Sequence, residues 1–134
     1  QWPDACHALC ALLQEHFCFP TACSAYLTPS GAQGFPPHYD DVDVFVLQLI
    51  GDKYWRVHDR PGRDRAENPG ARETTAFDPR DLDPPARELT LRPGDVLYLP
   101  RGAVHHAVTA GDGPSLHLTV STYQRHCWRD LWDR

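Results

Sequence analysis

From residue 44 onward the chain is a succession of short β-prone runs, each closed by a glycine or proline turn. The runs are 44–50 (VFVLQLI), 53–58 (KYWRVH), 89–92, 95–99 (DVLYL), 103–109 and 115–122 (SLHLTVST). Gly51-Asp52, Pro93-Gly94, Pro100-Arg101-Gly102 and Gly111-Asp112-Gly113 stand between them, and an earlier run at 24–28 stops at Pro29-Ser30-Gly31. Such a rhythm predicts an all-β sandwich or barrel. Gly51-Asp52 has the form of a two-residue hairpin turn, which makes 53–58 the return strand of 44–50. Residues 59–88, rich in Pro, Gly, Arg and Asp, break the rhythm. They are expected to be a solvated insertion, with a substrate-covering lid as the alternative. Before the strands, Leu9, Leu12, Leu13 and Phe17 recur at helical spacing, so 4–17 is predicted to be an amphipathic helix capped by Asp4. A further helix is expected to begin within 127–134.

A chain of 134 residues has the length of one domain and room for one modest core. No apolar run reaches the roughly 18 residues that cross a bilayer, so no membrane partner is expected. The net charge of -5, from 13 basic and 18 acidic residues, argues against direct nucleic-acid binding and leaves a basic protein partner open. Cys6, Cys10, Cys18, Cys23 and Cys127 form no CxxC pair. They are expected to be reduced, small buried hydrophobes; a zinc site from the first four is the minor alternative. The chain opens on Gln1 and has no methionine, so it is expected to begin inside a longer protein.

His38-Tyr39-Asp40 is an H-x-D pair. On extended backbone, residues two apart share a face, so one imidazole and one carboxylate can reach a single ion. Taken alone, such a pair is more often a surface turn. A third ligand has to come from another strand, and His105 and His106 in PRGAVHHA follow a tight turn. Neighbours on a strand face opposite ways, so one of the two is a candidate. Two histidines and one carboxylate leave coordination positions open for substrate and dioxygen, the pattern of non-haem Fe(II) oxygenases. His7, His16, His58 and His126 have no partner at ligand spacing and are expected to face solvent.

Lys53 shares a strand face with Trp55 and Val57, while Tyr54, Arg56 and His58 point the other way. If the Trp face is interior, Lys53 is a buried cation that needs an anion, for which the distal carboxylate of 2-oxoglutarate is suited. The alternative is a lysine snorkelling to water at a strand end. Tyr26 offers a phenolic donor nearby. His117, Thr119 and Ser121 make a polar stripe that faces either solvent or a pocket.

The strings YLTPSGAQGFPPHYDDVDVFVLQLIGDKYWRVH, LTLRPGDVLYLPRGAVHHA and SLHLTVSTYQR closely resemble the ribosomal oxygenases, JmjC-type histidyl hydroxylases of nucleus and nucleolus. The likeness runs from about residue 2 to 132 and is poor over 59–88. It implies a double-stranded β-helix (jelly roll), with Fe(II) on His38, Asp40 and His105, the family pattern PRG-x-x-H-x-A selecting His105. It implies 2-oxoglutarate held by Lys53 and Tyr26 with Ser121 in the same pocket. It further implies dioxygen as co-substrate and a ribosomal protein or histone as target. Histone methyl-lysine demethylation is the alternative reaction, and a non-catalytic binding module the alternative class. A cupin using another metal is a more distant possibility. Ser24 departs from the asparagine usual two residues before the tyrosine. The family continues into helical dimerisation and winged-helix regions where this chain ends, so residues 1–134 are expected to be an incomplete catalytic core whose homodimer needs the full-length protein.

Overall fold

The computed structural model describes residues 4–59 and 75–123. One helix, α1 (Asp4–Phe17), precedes nine strands: β1 (Thr21–Thr28), β2 (His38–Tyr39), β3 (Asp43–Ile50), β4 (Asp52–His58), β5 (Thr75–Ala76), β6 (Arg87–Leu91), β7 (Val96–Leu99), β8 (Val104–Ala110) and β9 (Ser115–Thr122). They form two antiparallel sheets, ordered β1-β9-β3-β7 and β5-β2-β8-β4-β6. This is the jelly roll expected from the sequence, and the helix and β9 have the predicted bounds. The second helix expected within 127–134 lies outside the described residues.

Period-two patterning builds the interior. Val44 and Val46 of β3 are buried and pack with Trp55, Leu91, Leu99 and Ala107 from the other strands. Each large apolar side chain removed from water in this way contributes about 1.5–3 kcal/mol. On β4 the predicted division of faces holds on the inner side: Lys53 and Trp55 are buried, with Val57 packed against the core.

The predicted hairpin at Gly51-Asp52 does not form, because β3 and β4 belong to different sheets. Gly51 is instead a corner. Its φ of 65° is in the left-handed region, and the register between β3 and β9 shifts just before it, between Gln48 and Ile50. Gln48 holds the corner: it is 1% exposed, and its Nε2 donates to the carbonyls of Ile50 and Gly51 and to Ser115 Oγ at 2.8–2.9 Å. A hairpin glycine and a corner glycine have the same local chemistry, so the local sequence could not separate them.

Three other expectations need correction. Asp4 stands in the first turn of α1 rather than before it. No residue of α1 is buried and Leu12 is 64% exposed, so the helix covers the sheet only partly, with Phe17 stacked on Phe45 at 5.8 Å. Cys6, Cys10 and Cys23 are half-buried and Cys18 is exposed, since the helix that carries Cys6 and Cys10 rides on the outside; burial still pushes the Cys23 thiol up to about 11, with Cys10 and Cys6 adding to the shift. Within 59–88, the described part is not purely a solvated insertion. β5 pairs with β2, Phe77 N donates to Pro37 O at 2.7 Å, and Asp78 accepts from Arg80 N at the start of a 3-10 turn at Pro79–Asp81.

A Cβ on Gly51 would overlap the carbonyl of Pro114, whereas one on Gly31, also at positive φ (64°), meets nothing. Gly31→Ala should therefore cost about 1–2 kcal/mol, the left-handed penalty alone. Gly51→Ala should cost clearly more, about 3 kcal/mol. Urea melts of the two variants provide the comparison, and equal midpoints would show that the corner relaxes freely.

Candidate metal centre

β2 is only two residues long, and one β-bridge sets its place: His38 lies opposite His105 on β8. The two imidazole centroids are 4.6 Å apart. Asp40 follows β2 immediately and its carbonyl accepts from Gly102 N at 3.0 Å, which ties the H-x-D segment to the PRG turn. Asp43 accepts from Arg101 N at 2.8 Å and fixes the other side of that turn.

The side chains converge. His38 Nε2 is 3.9 Å from Asp40 Oδ1, and His105 Nε2 is 3.8 Å from Asp40 Oδ2. One ligand atom from each residue lies within 4.8 Å of the others, and among the described residues no other group of three metal-ligating side chains does so. The tautomers are set by the main chain. His38 Nδ1 donates to Pro36 O at 2.8 Å, and His105 Nδ1 donates to Ala103 O at 2.9 Å. A carbonyl can only accept, so in the neutral ring each Nε2 carries the lone pair and faces Asp40. Burial, with the neighbouring His38, holds the His105 pKa below the ordinary histidine range, which keeps the lone pair free. Second-sphere carbonyls that fix ring orientation are typical of metal-ligating histidines.

His106, the rival ligand, turns to the other face of β8. Its Nδ1 is 3.3 Å from His58 Nε2, with the rings stacked at 5.1 Å. His58 is therefore not solvent-facing as expected: it is 8% exposed, and its Nδ1 donates to Asp83 O at 3.0 Å. No sequence spacing flagged this pair, because its two members come from strands joined only by register (Arg56↔His106, Val57↔His105).

The triad opens into a cavity of about 750 Å³ between the sheets. Val44, Val46, Trp55 and Leu99 give it an apolar wall, and Lys53 is the only lysine or arginine among the described residues lining it. Lys53 is 3% exposed and does not snorkel. Its ammonium donates to Thr28 Oγ1 at 2.8 Å, no carboxylate among the described residues pairs with it, and burial lowers its pKa. Tyr26 lines the same cavity, stacked on His117 at 5.2 Å. Of the polar stripe on β9, His117 and Thr119 line the cavity; Ser121, half-buried and in register with Val44, is not among the lining residues. Ser24 is exposed on β1. Sequence reasoning passed over Thr28 and Trp55. Trp55 Nε1 and His117 Nδ1 are both buried without a hydrogen-bond partner. Two orphaned polar atoms and an unpaired cation on one wall fit an acidic ligand that accepts hydrogen bonds.

The chain is similar to known proteins. A relative from Dictyostelium discoideum named bifunctional lysine-specific demethylase and histidyl-hydroxylase NO66 is 50% identical over 123 residues, covering 92% of this chain and 24% of its own. Ribosomal oxygenase 1 of Rattus norvegicus is 49% identical over 121 residues, covering 90% and 20%. The chain thus spans a quarter or less of these relatives' length. Among solved structures, the Escherichia coli ribosomal oxygenase YcfD in complex with cobalt and 2-oxoglutarate shares the fold at TM-score 0.71 and 22% identity, over 98% of this chain and 31% of that one. A cupin-like protein of Thermotoga maritima shares it at TM-score 0.51 and 18% identity, over 82% of this chain and 62% of that one. The family model of the JmjC domain matches residues 3–131, and the chain belongs to the JmjC-domain family.

Proposed function

We propose that residues 1–134 form the catalytic core of an Fe(II)- and 2-oxoglutarate-dependent oxygenase that hydroxylates a protein side chain, a histidine of a ribosomal protein being the favoured target. The observation that carries this reading is the pairing of two features in one cavity: a two-histidine, one-carboxylate triad with its lone pairs aimed inward, and a buried lysine without an anion. A purely structural metal site has no use for the second feature.

In this reading His38, Asp40 and His105 would hold the iron, a ligand set that suits a metal which must also bind its substrates. Lys53, with Tyr26 beside it, binds the distal carboxylate of 2-oxoglutarate; Thr28 orients the ammonium. Ser121, expected in the same pocket, is in register with the cavity-lining Val44 but does not itself line the cavity, and it is given no part in this reading. Together the iron and 2-oxoglutarate supply the oxidising power that turns dioxygen on an unactivated C–H bond. Trp55, Val46 and Leu99 keep water from that end of the cavity. The choice of target rests on the names of the relatives, ribosomal oxygenase and histidyl-hydroxylase, and agrees with a nuclear and nucleolar setting.

The test is succinate release by the purified chain with Fe(II), 2-oxoglutarate and a histidine-containing ribosomal peptide. Turnover should rise with the peptide and fall to background in Asp40→Ala. Formaldehyde from a methyl-lysine histone peptide would move the reading to demethylation. A folded chain that binds peptide without turnover would replace it with a non-catalytic module.

Lys53 yields a second prediction, with opposite signs for stability and binding. Replacing a buried, unpaired cation by an apolar chain of similar length removes a desolvation cost. Lys53→Met should stabilise the ligand-free protein by about 1–2 kcal/mol in urea melts. It should weaken 2-oxoglutarate binding at least about 30-fold, the usual cost of removing one partner of a buried charge pair. A variant that is both less stable and unimpaired in binding would show Lys53 to be a structural residue.

A further inference from the structure

Among the polar groups of the cavity that the metal triad and Lys53 leave without a task is His117. His117 sits on β9, in register with Tyr26 on one side and Gln48 on the other. It is 4% exposed. Its ring lies flat against Tyr26 (5.2 Å, interplanar angle 17°) and edge-on to Trp55 (5.5 Å, 75°). Packing of this kind fixes the plane of the imidazole. Yet its Nδ1 is buried and makes no hydrogen bond. A purely aromatic spacer between Tyr26 and Trp55 needs no nitrogen, and folded proteins rarely leave a buried donor or acceptor unmatched without a use for it.

The ring is neutral at physiological pH. Burial, and then the charge of Lys53, push its pKa down to about 4. A neutral imidazole has one N–H and one lone pair, and a carboxylate can only accept. The cavity end near Lys53 therefore offers a carboxylate one full cation, plus an N–H that adds no charge.

We infer that His117 is a binding residue for the anionic end of the ligand, its Nδ1–H donating to the same distal carboxylate that Lys53 pairs with. This rests on the reading of the cavity as a 2-oxoglutarate site and adds to it a specificity element. A single cation beside a neutral donor suits a terminal group with one negative charge and two oxygens. It does not suit a phosphate-terminated acid, whose second charge would go unmatched beside the neutral ring.

The test uses the full chain loaded with Mn(II) and compares two ligands by calorimetry. Oxalate reaches only the metal; 2-oxoglutarate reaches both ends. His117→Phe keeps the ring and its stacking but has no N–H, and His117→Asn can place an amide N–H where Nδ1 stood. Losing a hydrogen bond to a charged acceptor should weaken 2-oxoglutarate about 10-fold or more in His117→Phe. Oxalate affinity should be unchanged, and His117→Asn should recover most of the loss. A His117→Phe variant that binds 2-oxoglutarate like the wild type would overturn the inference and leave His117 a packing residue. An equal loss of oxalate would overturn it as well, by placing the effect at the metal or in the fold. Wild-type protein that binds oxalate but gains nothing from the longer acid would instead remove the underlying assignment of the cavity.

Discussion

The bridge between His38 and His105 is the contact on which the site depends. Cross-strand neighbours bring their Cβ atoms to about 4.5–5.5 Å, so register alone puts the two imidazoles side by side. Around the bridge, main-chain bonds do the rest: Phe77 N to Pro37 O, Gly102 N to Asp40 O, and Gly34 N to Ala107 O. Carbonyls of Pro36 and Ala103 then orient the rings. Because these are backbone contacts, the ligand geometry is preorganised and asks little of the surrounding side-chain packing.

That economy matters in a chain this small. The residues that form the core also form the cavity wall, since Val44, Val46, Trp55, Leu99 and Ala107 do both. Apolar side chains in place of Lys53 and His117, and fewer orphaned polar atoms, would give a tighter interior. The fold instead carries a desolvated ammonium and two unmatched nitrogens between its sheets. Sites that sacrifice stability in this way are where function is usually found.

Much of this was legible in the sequence because it is local. Gly/Pro turns cut the strands, period two put Lys53 on the Trp55 face, and H-x-D with the two histidines after the PRG turn marked the candidate ligands, among which the family resemblance chose His105. What escaped was decided between strands. Gly51 looked like a hairpin glycine, and only the crossing from one sheet to the other makes it a corner. His58 and His106 meet through the register of β4 and β8. On β9 the stripe His117, Thr119 and Ser121 was visible, but the depth of each position along the cavity was not, so His117 went unweighted. α1 misled for a related reason: its apolar positions are real, but the sheet below meets only part of them.

Charge balance links the parts of the cavity. Lys53 contributes one positive charge and Asp40 one negative, with His105 and His117 held neutral by burial. A divalent ion on the triad raises the sum to two positive charges, and a dianionic oxoacid returns it to zero. Buried charge is tolerated when it is compensated in place. A protonated His117 would break the balance, as would a second carboxylate beside Lys53 that paired with it internally. The neutral histidine and the unpaired lysine are thus one arrangement: the protein leaves its anion site incomplete by the charge that the proposed ligand brings.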